Sequence, residues 1–512
     1  MELTHAPARD RVRVLTRRLP APVLLGGLVL AIVALNLWWL ELESRPPHWD
    51  MAHHLGNSLQ YLHAFSLVHP VPFFTGYLYY PPLTYWVADA FYAATGSKAT
   101  SVAILSNVVW LAVLAFSTFA IGRRLWNARV GWLSVAFVLT APMIVSASKE
   151  YMLDVPVTAM AGLCLYLLIR SDGFGSRRFS LLFGVAAGLG MLVKWTLPLV
   201  LLLPVVQASA VALADARQRH SFGRMLNIAV AALLTLGICG PWYAKNLIKS
   251  IGFATQYAGP EGVAQGNPPV RSLESATWYF WNLLDVQLYL LPFLFVLAGL
   301  AFCFVRRELA ARNLYPLLTV VGTLVMFSLL RHKDPRYTLP MLPALAVVAT
   351  SWLEYVSARA RSVIAGVLVV YGVAAFFVIS FGAPFLPKEA AVELPSTHGA
   401  LPGRLVAFGQ HGYIIGPATN EDWHQADAVR FVTTAPRDDQ RFTYAGPDTT
   451  WFNLFGLAYY AMRYDVTLES LGPTHFLIYR GPLPTTPPGY AERRRWTLPD
   501  GTKLVAYEQR GA

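Results

Sequence analysis

Residues 22–40 read PVLLGGLVLAIVALNLWWL, an apolar run without an acidic or basic side chain. About 20 such residues are needed for an α-helix to cross the hydrocarbon core of a bilayer. Polar sequence follows the run at once, RPPHWDMAHHL at residues 45–55. The stretch therefore predicts a helix that spans a membrane and places acidic, basic and histidine side chains at one of its surfaces.

Similar apolar runs recur as far as residue 382, and 55% of all residues are hydrophobic while only 14% are charged. Soluble domains carry roughly 25% charged residues, so the composition predicts an α-helical polytopic membrane protein. We expect about eleven spans: 22–40, 101–121, 130–148, 153–169, 180–193, 196–214, 226–244, 287–305, 314–330, 338–356 and 362–382.

The net charge of +12 arises mostly from arginines in short loops between these runs. Basic loops face the cytoplasm, which predicts a cytoplasmic N-terminus in the cell (inner) membrane and membrane lipids, not nucleic acid, as partners. An odd number of spans then places the chain after residue 382 outside. The three cysteines lie inside apolar runs, so no disulfide framework is expected.

The first external loop, 41–100, contains an apolar stretch from Leu83 to Thr95 that is too short to cross and is expected to be a re-entrant or surface-lying helix. After about Ala383 the composition becomes mixed and polar. We predict two domains, a membrane domain at 1–382 and a small external α/β domain at 383–512. Strands are expected at 404–408, 429–433, 475–479 and 503–507, with a helix at 451–464.

The external loop carries the clearest chemical pattern. If its polar stretch is helical, Asp50, His53 or His54, Asn57 and Tyr61 share one face. A carboxylate beside an imidazole could accept a proton or, in a second interpretation, bind a divalent metal through Asp50, His53 and His54. A third interpretation is an amphipathic helix whose polar face meets water and headgroups.

Two further external loops contain charges beside apolar spans. Lys149 and Asp154 flank the start of one span, where an acid is costly unless it is functional or is paired with Lys149 or Lys194. The run 331–337 (RHKDPRY) is cationic on the side where basic residues are rare. It suits a phosphate, or alternatively it anchors lipid headgroups.

The ordered set of motifs resembles GT-C glycosyltransferases, and more narrowly glycosyltransferase family 39, which includes protein O-mannosyltransferases and the lipid A aminoarabinose transferase. The resemblance covers residues ~20–382. It rests on the loop acid and on YPPL at 80–83, KEYMLDVP at 149–156, GLGMLVK at 188–194, GPWYAKN at 240–246 and PRYTLP at 335–340.

The resemblance implies an inverting membrane glycosyltransferase that uses a polyprenyl-phosphate-linked sugar and acts on an external protein, lipid or glycan acceptor. The implied catalytic acids are Asp50, as general base, and Asp154. The implied phosphate ligands are Lys149, Lys333 and Arg336, and the implied substrate contacts are His54, Tyr80 and Tyr337. This chain has Tyr79-Tyr80 where aminoarabinose transferases have Glu-Lys, and Met51 where mannosyltransferases have a second acid, so the use of a metal and the acceptor class stay open.

Displacing a lipid phosphate from a sugar needs a base for the incoming hydroxyl and positive charge at the leaving group. We expect Asp50 to supply the base, and Arg336 with Lys333 or Lys149 to supply the positive charge. The alternative functions are a transporter or flippase of lipid-linked sugars, which would place charges in mid-span, and a non-catalytic membrane scaffold that displays the external domain.

Overall fold

The computed structural model describes residues 20–64, 80–394, 403–470, 474–482 and 486–510, and helices dominate it as far as Phe381. The helices of this part are α1 (Ala21–Leu42), α2 (Trp49–Ala64), α3 (Leu83–Thr95), α4 (Thr100–Leu105), α5 (Asn107–Leu125), α6 (Ala128–Leu139), α7 (Pro142–Ala147), α8 (Asp154–Arg170), α9 (Arg177–Met191), α10 (Leu197–Arg219), α11 (Gly223–Ala258), α12 (Pro260–Ala264), α13 (Leu273–Asn282), α14 (Leu290–Val305), α15 (Arg307–Arg312), α16 (Leu314–Ser328), α17 (Leu342–Ser351) and α18 (Ala358–Phe381).

Five helical stretches in the described part of the chain are long and apolar enough to cross a membrane. They are Ala21–Leu42, Thr100–Leu125, Leu197–Arg219, Gly223–Ala264 and Ala358–Phe381. The chain is thus a multi-pass membrane protein, but the predicted number of eleven spans is not confirmed. Several predicted spans are shorter helices, and the one at 130–148 is interrupted before Pro142, which lacks the N–H needed to continue the helix.

The chain after α18 forms strands and two further helices: β1 (Glu389–Leu394), β2 (Gly403–Gly409), α19 (Gln425–Val432), β3 (Arg441–Ala445), α20 (Leu454–Tyr464), β4 (Thr467–Glu469), β5 (Phe476–Gly481), β6 (Tyr490–Thr497) and β7 (Lys503–Gln509). Strands β1 and β2 pair antiparallel. The other five form one sheet in the order β4-β3-β5-β7-β6, in which β3 is parallel to both β4 and β5. The predicted small α/β region is therefore confirmed.

One predicted strand of this region is wrong. Residues 429–433 belong to the end of α19 and the turn after it. Ala428, Val429 and Val432 are all buried, and their spacing places them on one helical face against the sheet. A short apolar run does not by itself distinguish a buried helix from a strand.

The helices of the first loop and the C-terminal sheet region share one hydrophobic core. Leu55 and Leu59 of α2 and Tyr85 of α3 pack in the same cluster as Leu457 of α20 and Phe476 of β5. A separate, larger cluster fills the space between the apolar helices. The predicted surface helix at 83–95 is found as α3, and together with α2 it forms a platform beneath the sheet region.

Candidate active site

Asp50 lies in the first turn of α2, where a carboxylate is favoured by the positive end of the helix dipole. Its Oδ2 accepts a hydrogen bond of 2.8 Å from Nη1 of Arg336. The Asp50 side chain is 43% exposed and that of Arg336 is 20% exposed. The ion pair therefore joins two predicted site residues from distant parts of the sequence and leaves the carboxylate open on one side.

Arg336 is fixed by a second carboxylate. Its Nε and Nη2 donate to the buried Asp334 at 3.0 and 2.6 Å, and Asp334 also accepts from the backbone N–H of Arg336 at the start of a 3₁₀ helix, Pro335–Met341. Gln287 donates to the carbonyl of Pro335 at 2.6 Å. This bidentate arrangement orients the guanidinium group, and Nη1 is the nitrogen directed at Asp50.

Asp154 begins α8 and accepts a 3.0 Å bond from Nζ of Lys194, and both residues are buried. Of the two partners considered for Asp154, Lys149 and Lys194, the structure pairs Asp154 with Lys194. Lys194 also lies 6.0 Å from the ring centroid of Tyr337. Because Asp154 contributes to the electrostatic environment of Arg336, the two ion pairs belong to one charged cluster of three carboxylates and two cations.

The electrostatics of this cluster keep the carboxylates of Asp50 and Asp334 ionised. Burial raises the pKa of Asp50, but the Arg336 charge and the hydrogen bond from Arg336 outweigh it and hold the pKa below its ordinary value. The pKa of Asp334 is also lowered, since Arg336 outweighs its burial. Burial lowers the pKa of His54, so this imidazole is neutral near pH 7.

An aromatic and histidine wall lies beside the cluster. The Nδ1 of His54 is 2.8 Å from the hydroxyl of Tyr85, and its ring centroid is 5.3 Å from that of Tyr80. On the other side, the Nδ1 of His332 is 2.7 Å from the hydroxyl of Tyr337. His54, Tyr80 and Tyr337, which were predicted as substrate contacts, are thus brought near Asp50 and Arg336.

The segment 410–417, which follows β2, is fastened to the ends of the membrane helices and is called the strap below. Side chains of the helical part donate to its carbonyl groups: Ser146 to Ile415 (3.0 Å), Tyr289 to His411 (2.7 Å) and Trp39 to Gly416 (3.1 Å). These bonds place Tyr413 so that the Arg336 guanidinium carbon is 5.7 Å from its ring centroid. A residue of the C-terminal region therefore lies beside the Arg336 guanidinium group.

Lys149 lies in a different cavity, of about 200 Å³, whose lining includes Trp39, Glu43 and His48 but neither Asp50 nor Arg336. Its side chain is 1% exposed, and its Nζ is 5.4 Å from the Trp39 ring centroid. Burial lowers the pKa of Lys149 to about 7. The structure does not bring Lys149 to the Asp50 cluster, so a direct contact with the same phosphate is not supported.

Lys333 does not join the cluster either. Its Nζ donates to the carbonyl groups of Phe327, Ser328 and Leu330 at 3.3, 2.8 and 2.7 Å. A cation at the end of a helix neutralises its last carbonyls, and an ammonium group has only three N–H donors. The local geometry therefore makes Lys333 the C-terminal cap of α16.

The three candidate metal ligands of α2 do not converge. Within the described ranges, the side chains that bring three ligand atoms within 4.8 Å of one another are Asp422, His424 and Asp427, on the C-terminal region. Asp50 is directed at Arg336 and His54 at Tyr85. The donor set around Asp50 thus fits an ion pair with an arginine better than a divalent cation.

Two residues of this site, Asp334 and Tyr413, were not predicted from the sequence. Asp334 was detectable, since it stands two positions before Arg336 in the same cationic run. Lys194 was named only as one of two partners for Asp154. Tyr413 had no signal, because nothing in a strand-rich polar region indicates which loop returns to the membrane surface.

Known proteins share parts of this sequence. Residues 80–244 match the family model described as dolichyl-phosphate-mannose-protein mannosyltransferase. The undecaprenyl phosphate-alpha-4-amino-4-deoxy-L-arabinose arabinosyl transferase of Pseudomonas paraeruginosa is 28% identical over 292 residues, 54% of this chain and 50% of the relative. The enzyme of the same name from Yersinia pestis is 25% identical over 387 residues, 71% of this chain and 67% of that one. The chain thus spans about half the length of the Pseudomonas relative.

A solved structure shares the fold over almost the whole chain. ArnT from Cupriavidus metallidurans in the apo state superposes with a TM-score of 0.59, covers 94% of this chain and 97% of its own, and is 14% identical. The similarity includes the C-terminal region as well as the helices. The family match and the curated relatives thus cover parts of the sequence, and the solved structure shows the same fold over almost the whole chain.

Proposed function

We propose that this protein transfers a sugar from a polyprenyl-phosphate donor to an acceptor at the external surface of the membrane, with inversion at the anomeric carbon. The observation that carries the proposal is the 2.8 Å pair between Asp50 and Arg336. It joins a candidate base and a candidate phosphate ligand at the edge of a membrane domain. The relatives named for transfer from undecaprenyl phosphate sugars support the same donor class.

The chemistry assigns one role to each partner of the pair. Asp50 takes the proton of the acceptor hydroxyl as its oxygen attacks the anomeric carbon. The bond between that carbon and the phosphate oxygen breaks, and its electron pair stays on the polyprenyl phosphate. Arg336 stabilises the additional negative charge on the phosphate, where preorganised donors have their largest effect.

The resting ion pair suggests an order of binding. The Nη1 of Arg336 is the atom that holds Asp50, while Nε and Nη2 are held by Asp334. A donor phosphate would compete with Asp50 for Nη1, and the loss of that bond would raise the proton affinity of the carboxylate. Donor binding would thus activate the base, which favours a sequence with the donor first and the acceptor second.

The proposal includes the arrangement in the membrane. The N-terminus is cytoplasmic, and the Asp50 cluster lies on the external side together with the region 383–512. Contacts between the strap and the helix ends support a common side for that region and Asp50. The domain boundary near residue 382 and the assignment of Asp154, His54, Tyr80 and Tyr337 to substrate binding belong to the same proposal.

Asp50→Asn tests the assignment of the base. The variant keeps the size of the side chain and loses its charge, so single-turnover transfer from a synthetic polyprenyl-phosphate sugar should fall by about 10²–10⁴-fold. Donor binding should persist, because Arg336 keeps its contacts with Asp334. Asp438→Asn, at an exposed position of the C-terminal region, is the matched control and should transfer normally. Near-normal transfer by Asp50→Asn would remove Asp50 as the base.

A further inference from the structure

A second charged cavity lies at the opposite end of the helices that carry the Asp50 cluster. Helix α8 begins at Asp154 and ends at Arg170, and its 17 residues extend about 25 Å, close to the thickness of a bilayer core. The ends of α5 and α8 and the start of α1 surround a cavity of about 340 Å³. Its lining residues are Ala21, Pro22, Leu25, Phe116, Phe119, Ala120, Arg123, Arg124, Tyr166 and Arg170.

The lining divides into an apolar wall and a basic rim. Leu25 and Phe119 are buried at the wall, and Phe116 is 45% exposed where the wall opens. Arg123 and Arg124 occupy the last turn of α5 and Arg170 the last turn of α8. An acyl chain fits the wall and a charged headgroup fits the rim, an arrangement that neither free phosphate nor a soluble anion would need.

The rim has an uncompensated positive charge. Over the described ranges, no carboxylate lines the cavity and none of the three guanidinium groups lies within 4.0 Å of an acidic side chain, while that of Arg170 lies 4.5 Å from the Phe179 ring centroid. By comparison, Arg224 at the same end of the helices is paired with Asp172 and Asp215. Each basic residue near a membrane surface attracts anionic lipid by about 1 kcal/mol, and basic pockets between helices bind lipid headgroups.

We propose that this cavity is a binding site for an anionic diacyl phospholipid of the leaflet opposite the Asp50 cluster. The phosphate lies among Arg123, Arg124 and Arg170, and one acyl chain packs along Leu25, Phe116 and Phe119. The site is independent of the donor site proposed above, since it is at the other end of α8. Its occupant holds α1, α5 and α8 together and so stabilises the membrane domain.

The test measures thermal unfolding of the full chain in detergent as phosphatidylglycerol is added, with phosphatidylcholine and inorganic phosphate as separate arms. We expect a saturable rise in Tm with phosphatidylglycerol alone. The triple variant Arg123→Gln, Arg124→Gln, Arg170→Gln should bind phosphatidylglycerol about 100-fold more weakly, and the exposed single variant Arg124→Gln about fivefold more weakly. Transfer measured without added phospholipid should be unchanged in both.

The matched control removes three exposed arginines that lie outside the cavity, Arg306, Arg307 and Arg359, by the same substitution. This control variant should show the same rise in Tm with phosphatidylglycerol as the wild-type protein. Equal weakening in the two triple variants would show a general charge effect and overturn the site. An equal response to phosphatidylcholine would overturn its selectivity for anions, and a full response to inorganic phosphate would overturn the lipid assignment. If the cavity triple variant does not fold, the Arg124→Gln arm decides.

Discussion

At the scale of the residue, the centre of this protein is a guanidinium group held between two carboxylates. Asp334 takes two nitrogens of Arg336 and Asp50 takes the third. A lysine could not reproduce this geometry, because an ammonium group is a point charge without a planar fork. The arginine is therefore expected to matter through its shape as well as its charge.

Substitution of Arg336 separates these two contributions. Arg336→Lys keeps the charge, so we expect a folded protein with donor affinity and transfer reduced about tenfold. Arg336→Ala should lose at least about 10² in transfer, as on removal of an oxyanion donor, and should lose stability because Asp334 is left buried and unpaired. Donor titration and single-turnover transfer measure both effects. Arg331→Lys, in the same loop, serves as the control, and unchanged donor affinity in Arg336→Ala would favour the headgroup-anchoring interpretation.

Asp89 of α3 gives a prediction about pH. Burial raises the pKa of Asp89 to about 8, against a weaker opposing effect of its hydrogen bond from Ser58. The native state thus holds a proton that the unfolded state releases near pH 4, and stability falls as pH rises from about 4 to 8 and then levels off. Asp89→Asn removes this loss of stability, so the amount by which the Tm of the variant exceeds that of the wild-type protein should grow between pH 5 and pH 8. A constant difference in Tm across that range would contradict the raised pKa.

The residue scale also shows what sequence alone could provide. Asp154 was predicted because an acid beside an apolar span is costly and needs a reason, Asp50 because it shares a helical face with a histidine, and Arg336 because it lies in a cationic run on the external side, while the family resemblance supplied their roles. Lys149 and Lys333 satisfied the same criterion, yet one is buried beside Trp39 and the other caps α16. Charge and position in the sequence do not reveal which direction a side chain takes at the mouth of a span.

At the scale of the element, close helix packing depends on glycines. A Cβ added to Gly184 of α9 would lie 2.5 Å from the carbonyl oxygen of Ala231 in α11. Small residues at such crossings let backbones approach, which is the main source of helix association in membranes. Apolar periodicity predicted these helices, but it could not predict which of them cross closely.

Gly184→Ala should therefore destabilise the protein, although alanine is intrinsically the better helix former. Gly237→Ala, within α11 and with no atom within 4 Å of the added Cβ, should be neutral or slightly stabilising. Thermal unfolding of the two variants in the same detergent provides the comparison. A Tm for Gly184→Ala equal to or above that of Gly237→Ala would mean that α9 and α11 are not tightly packed.

The shorter helices explain why the predicted number of spans is not confirmed. The predicted span at 287–305 begins only at Leu290, after a π-helical turn at Leu283–Gln287 and a positive φ of 60° at Tyr289. Such a turn holds an unusual backbone geometry that hydropathy does not record. Gln287 of this turn donates a hydrogen bond to the carbonyl group of Pro335, so the irregular turn helps to position the loop that carries Arg336.

At the scale of the whole molecule, the helical part and the sheet region are interdependent. The platform of α2 and α3 shares its core with the sheet region, and the strap brings Tyr413 over Arg336. The composition change near residue 383 correctly indicated a different fold after the last helix. It did not indicate that this region contributes a side chain to the candidate site.

The arrangement in the membrane is testable as a whole. Reporter fusions at Arg124, Arg219 and Arg307 should report the cytoplasm, whereas fusions at Gly266 and after the C-terminal region should report the external side. The basic residues of the first three sites support this orientation. Cysteine labelling at the same positions in intact cells provides a second measurement. An external signal at Arg219 would overturn the topology.

The strap has a consequence for biosynthesis. In the described part of the chain, Tyr413 lies after every helix long and apolar enough to cross a membrane, so it is made after Arg336, which it contacts. A nascent chain in which the helices have already inserted would still present an open Arg336 until the last quarter of the protein has been made and has folded. Assembly of the complete site is thus expected to coincide with the end of synthesis, and a partly made chain would have no covered site in which to capture a donor.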